Sequence, residues 1–93
     1  MGYKLSQSVN VATTSLLADV NVSDYNYCQF TISGLSGETL TVSGKYPSGN
    51  AAAIKSSVGD GTYVVDTFLL ASMSFDKSAA VNTVTLDVTF GVK

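Results

Sequence analysis

The sequence predicts an all-β protein: a small antiparallel β-sandwich or jelly-roll of seven or eight strands. Three observations carry that prediction. Apolar residues recur at every second position in four separate stretches, the period of a strand with one buried face. Turn residues interrupt the chain about every ten residues, a spacing typical of sandwiches and barrels. Val, Thr and Tyr are abundant, as a pleated surface prefers, and no 3.6-residue period is sustained. At 93 residues the chain is expected to form one domain, residues 1–93, with a small core.

The first stretch sets Tyr3, Leu5, Val9 and Val11 against Lys4, Ser6, Ser8 and Asn10, with Gln7 as a polar intruder on the apolar side. Ala18-Asp19-Val20-Asn21-Val22 alternates briefly and reads either as a strand or as one short helical turn. Cys28, Phe30 and Ile32 then alternate with Tyr27, Gln29 and Thr31, and Leu40 and Val42 with Thr39, Thr41 and Ser43. Ala51-Ala52-Ala53-Ile54-Lys55 is the one segment of helical composition, too short to stand as a helix by itself. Tyr63-Val64-Val65 and Phe68 to Phe75 read as strands apolar on both faces. Such strands need cover on both sides, and in so small a domain the second cover is expected to be another molecule. At the C-terminus Val84, Leu86, Val88, Phe90 and Val92 alternate with Thr83, Thr85, Asp87, Thr89 and Gly91, and this apolar row should face the core. Turns are expected at Gly34–Gly37, Tyr46–Asn50, Gly59–Gly61 and Asp76–Ser78, where Gly supplies positive φ and Pro fixes φ at its negative value.

Composition removes most chemistries. Hydrophobic residues make up 45% of the chain and charged residues 13%, which excludes intrinsic disorder. No apolar run approaches the roughly 18 residues of a membrane helix. Formal charge is −2, with no His and one Cys. A histidine-based triad is therefore impossible, an internal disulfide is too, and zinc lacks its ligands. Ser74-Phe75-Asp76-Lys77 matches a Ser-x-x-Lys motif, but its Lys-Thr-Gly companion is missing and a strand running into a turn explains it better. Gly59-Asp60-Gly61 lacks the Gly-Lys-Ser/Thr ending of a phosphate loop. Asp19, Asp24, Asp60 and Asp66 are the only candidate calcium donors and show no ligand spacing. Five scattered lysines make no basic stripe for nucleic acid. Cys28 sits among apolar strand residues and reads as inert core.

The opening residues lack the basic start, apolar stretch and cleavage site of a secretory signal, so Asn21-Val22-Ser23 is expected to stay unglycosylated. Met1-Gly2 with Ser6 matches a myristoylation pattern, which in a Ser-rich chain carries little weight. No enzyme activity, cofactor, membrane or nucleic-acid partner is expected. Tyr25, Tyr27, Tyr46 and Tyr63 could offer flat rings to a sugar, and a receptor- or carbohydrate-binding β-sandwich module, of fibre-tip or adhesin type, is the alternative reading.

From Tyr27 to Phe90 the chain resembles the small β-sandwich virion proteins of tailed phages, the capsid cement or decoration proteins and head-fibre bases. The resemblance lies in the run Phe30-Thr31-Ile32-Ser33-Gly34-Leu35-Ser36-Gly37-Glu38-Thr39-Leu40-Thr41-Val42-Ser43-Gly44, in a following Gly-Asn loop, and in the Val/Thr strand Thr83–Val92 that closes the chain. It departs where Gly49-Asn50 runs into Ala51-Ala52-Ala53 instead of an aromatic. It implies a structural virion protein that stabilises the phage head by binding between major capsid subunits. Such a protein is assembled in the host cytoplasm, placed on the head surface, and associated as a homo-oligomer, in particular a homotrimer. The contact residues expected from the doubly apolar runs are Val64, Val65, Phe68, Leu69 and Leu70, and with so few charges the contact should depend weakly on salt.

Overall fold

The computed structural model describes residues 4–67 and 69–92. Eight strands occupy more than half of the chain: β1 (Lys4–Val11), β2 (Ser15–Asn21), β3 (Tyr27–Ser33), β4 (Leu40–Lys45), β5 (Ala51–Val58), β6 (Gly61–Asp66), β7 (Ser72–Lys77) and β8 (Val84–Gly91). They form two four-stranded antiparallel sheets of order β1-β8-β3-β6 and β2-β7-β4-β5. Only β4 and β5 are consecutive strands of one sheet; each other connection crosses to the opposite sheet. That order is the eight-stranded jelly-roll.

Alternation explains the core. Val84, Leu86, Val88 and Phe90 of β8 and Cys28, Phe30 and Ile32 of β3 are buried on one inner face. Leu40 and Val42 of β4 and Met73 and Phe75 of β7 meet them from the other. The Phe30 and Phe75 rings touch edge to face across the two sheets, with centroids 5.3 Å apart, and Tyr63 stacks on Phe30 at 5.2 Å. Val92 lies beyond β8 and is half-buried, as are Gln7, Val9 and Val11 at the sheet edge. Met1, Gly2, Tyr3 and the Leu5 side chain lie outside the described part. On the solvent face, Ser8 Oγ donates to Asp87 Oδ1 at 2.6 Å, Asn10 Nδ2 donates to Thr85 Oγ1 at 2.9 Å, and the Thr31 and Thr62 hydroxyls meet at 2.9 Å.

Four local expectations need correction or resolution. The Ala51–Lys55 segment is the start of β5, because pairing with β4 outweighs alanine's helix propensity. Ala18–Asn21 resolve as strand, with Val22 just beyond β2, two register shifts in β2 and Asp19 at φ 50°. The apolar run from Phe68 to Phe75 is not one two-sided strand. The chain turns first, with Leu70 N donating to Thr67 O (3.0 Å), and β7 then buries alternate residues from Ser72. Likewise Val64 points to solvent and Val65 to the core. Phe68 itself lies outside the described residues.

The fourth concerns Asp76-Lys77-Ser78, where β7 continues through Lys77 instead of turning. Lys77 is held there by a buried ion pair with Glu38, at 3.3 Å from Nζ to Oε2. The Glu38 carboxylate also accepts from Val81 N (3.2 Å) and Asn82 N (3.0 Å), while Lys77 Nζ donates to Asn82 O and Asn82 Nδ2 donates to Ser36 O (2.9 Å). These bonds tie the β3–β4 loop to the β7–β8 loop. At the same end the Asp60 carboxylate, in the two-residue link from β5 to β6, accepts from Gly34 N (3.3 Å) and Leu35 N (3.0 Å). Gly34 needs its φ of +94°, and a Cβ there would stand 2.9 Å from Thr83 O.

Candidate functional site, an apolar groove pair

The edges β5 and β6, from opposite sheets, border an open groove of about 440 Å³ lined by Ala52–Lys55, Val64–Asp66, Tyr46 and Leu70. A second groove of about 480 Å³ is lined by Ser23, Tyr25, Tyr46, Pro47, Leu69 and Leu70. Tyr46 and Leu70 belong to both. Tyr46 stands at the head of the β4–β5 hairpin, whose turn is closed by Gly49 N donating to Tyr46 O and Tyr46 N donating to Asn50 O. Leu70 is buried, and the turn that carries it is fastened to β4 by Ala71 N donating to Lys45 O at 2.7 Å.

The exposed apolar side chains gather here. Among the described residues the large exposed hydrophobics are Tyr46, Val64 (59%), Leu69 (66%) and Val81, and the first three line the grooves. Leu69 combines two costs, since its side chain is in water and its backbone has φ 73°. Left-handed backbone disfavours a residue with a Cβ by roughly 1–2 kcal/mol. Strain of this kind gathers at functional positions.

Of the residues expected at a contact, Val64 and Leu69 are thus exposed, Val65 and Leu70 are buried beneath them, and Phe68 lies outside the described residues. Tyr46 was legible as a turn residue and as a ring open to a sugar, but not as a neighbour of Leu69 and Leu70. The groove carries few charges: Lys55, whose Nζ lies 5.9 Å from the Tyr63 ring centroid, and Asp66. Nearby, Lys45 and Asp19 form an exposed ion pair at 3.6 Å, of little energetic weight.

Several of the nucleophile and metal candidates are engaged elsewhere. Burial pushes the Cys28 thiol up to about 12, so it holds its proton at neutral pH. Ser74 and Lys77 lie three residues apart on a strand, hence on opposite faces, and Ser74 Oγ accepts from Asp19 N at 3.0 Å. Asn21 Oδ1 accepts from both Ser23 N and Ser23 Oγ, closing that tripeptide on itself. No group of three or more His, Cys, Asp or Glu side chains placed to hold a metal occurs among the described residues. What remains is a surface suited to contact.

No family model matches the chain, and no curated protein matches its sequence. Solved structures do match its fold. YomS, a protein derived from the SPBc2 prophage, superposes with a TM-score of 0.77 at 14% identity, over 98% of this chain and 95% of that one. The exported protein XepA of PBSX gives 0.74 at 12% identity over 97% of this chain, which spans only 38% of XepA. A Bacillus endospore appendage protein, from a family of disulfide-linked pili, gives 0.53 at 11% identity over 100% of this chain and 88% of its own. They are described, in turn, as a prophage-derived protein, an exported protein and a pilus protein. The chain shares with them an antiparallel β-sandwich fold.

Proposed function

We propose that this chain is a structural protein of a phage particle, a cement or decoration protein that docks on the head surface between major capsid subunits. The observation that carries the reading is the concentration of exposed apolar side chains, strained Leu69 among them, along two adjoining grooves. Isolated exposed hydrophobics are ordinary, whereas a clustered patch marks a contact surface. Support comes also from the near-complete mutual coverage with a prophage-derived protein. In this reading several copies, as a trimer, add apolar contacts at capsid junctions and no chemistry.

Sedimentation with capsids assembled from the major capsid protein of the same genome tests it. The chain should travel with the shells in high stoichiometry, with little dependence on salt. Leu69→Lys, at an exposed position, should leave a folded chain that no longer sediments with them, while Leu70→Lys should unfold it. A wild-type chain left at the top of the gradient at every salt concentration would sink the reading. The pair of rings Tyr25 and Tyr46 in the second groove supports a glycan-binding alternative, which retention on an immobilised glycan, lost in Tyr46→Ala, would favour.

A further inference from the structure

We infer that the chain pairs with a second copy of itself edge to edge, β6 of one copy adding antiparallel to β1 of the next. The four edge strands of the sandwich are unlike one another. In the sheet β2-β7-β4-β5 both edges are broken: β2 shifts register twice and carries Asp19 at φ 50°, and β5 shifts twice and carries Lys55 and Ser57 at φ 53°. Bulges and charges of this kind keep a sheet edge from accepting another strand. The other sheet's edges carry no shift, and their charges, Lys4 and Asp66, stand only in the first row. β1 pairs with β8, and β6 with β3, residue for residue without a shift. From Leu5 to Val11 and from Gly61 to Val65 the sequence has no charge and no proline. The first groove also leaves room beside β6, for its wall runs through the consecutive residues Val64, Val65 and Asp66.

A second copy suits this edge because β1 and β6 are complementary. Strand direction alternates across β1-β8-β3-β6, so a β1 laid against β6 continues the antiparallel order. The rows across the sheet run straight, through Ser6, Thr89, Gln29 and Val64 and through Ser8, Asp87, Thr31 and Thr62. The row that begins on Lys4 at one edge ends on Asp66 at the other. Extending the rows into a second copy therefore brings a positive position to a negative one. Because the two surfaces differ, the contact is heterologous, and a closed ring such as a trimer would leave no edge of this sheet unpaired. The inference concerns how copies meet one another: it takes the β6 wall of the first groove and leaves the second groove, with Tyr46 and Leu69, to what the assembly docks onto.

A charge cycle at two exposed positions of one row tests it. Ser6 and Val64 of the same chain lie three strand spacings apart, about 14 Å, but sit side by side across the inferred contact. Dissociation constants of the intact chain, from light scattering over a concentration series, are compared for Ser6→Lys with Val64→Lys and for Ser6→Glu with Val64→Lys. The first pair should dissociate about tenfold more readily than the second, as directly opposed like and unlike charges require. Both variants should melt within a few degrees of wild type. Equal dissociation constants would overturn the edge assignment even if the chain is oligomeric. A wild-type mass that stays at 9.7 kDa at every concentration would overturn the self-pairing, and so would a monomer whose β6 accepts only a strand from another protein. Sedimentation with capsids reports separately on the docking.

Discussion

Replacing Phe30 by alanine should cut the contact that joins the two sheets. The ring is fully buried, stands 5.3 Å from Phe75 in the opposite sheet and stacks with Tyr63 at 5.2 Å. Truncating a buried Phe costs about 3–5 kcal/mol, from lost transfer energy and the cavity left behind. A domain of this size has about 5–10 kcal/mol in all, so the variant should keep no more than about 7 kcal/mol at ambient temperature. At about 4–8 °C per kcal/mol, melting should fall by roughly 12–40 °C. Urea titration followed by circular dichroism gives the loss directly from the midpoint at constant m. Phe75→Ala and the double variant complete a cycle whose coupling should be about 0.5–1.5 kcal/mol, the usual worth of an aromatic pair. A loss below about 1.5 kcal/mol, or strictly additive variants, would refute the inter-sheet packing described above.

Burial raises the Glu38 carboxyl, but hydrogen bonds from Val81, Asn82 and Lys77 outweigh it and hold the group below its usual 4.5. A depressed folded value stabilises above the unfolded pKa and is lost as pH falls through the folded one. Wild type should therefore lose more melting temperature on acidification below 4.5 than Glu38→Gln does, and parallel curves would contradict the buried pair. Thr67 Oγ1 is buried and has no hydrogen-bond partner among the described residues, so Thr67→Val should stabilise by about 1 kcal/mol; a loss in urea titration would reveal a partner. A Cβ at Gly44 would stand 2.9 Å from Ser72 O and 3.1 Å from Ile54 Cδ1, so Gly44→Ala should cost about 1–3 kcal/mol, checked by thermal melting. Leu69→Gly should relieve the backbone and raise stability by about 1 kcal/mol while weakening capsid docking, two readouts that must move in opposite directions.

Faces were easier to read from the sequence than partners. In β8 and β3 every second residue is large and apolar, so strand and inward face follow from period alone. The same rule left Ala51–Lys55 unassigned, because three alanines have no period and their strand exists through pairing with β4. It also carried Phe68–Phe75 through as one strand. Hydrophobicity does not announce a left-handed Leu69, where glycine would normally mark the turn. Glu38 and Lys77, 39 positions apart and both charged, gave no sign of meeting in the interior. Val64 and Leu69 were legible as surplus apolar residues, whereas Tyr46 joins them only once the β4–β5 hairpin brings it beside Leu70.

The strand order also sets a schedule for synthesis. Of the eight strands, β8 leaves the ribosome last, and it is an interior one, lying between β1 and β3. Until Val84–Gly91 emerges, the first strand made has no neighbour to bond with and β3 is bare along one side. That sheet therefore stays split, β1 on one side and the β3–β6 pair on the other, until the eighth strand is made. A nascent product stopped before Val84 is not a shortened sandwich but one missing a central stave, and it should be cleared as an unfolded chain rather than survive as a trimmed one.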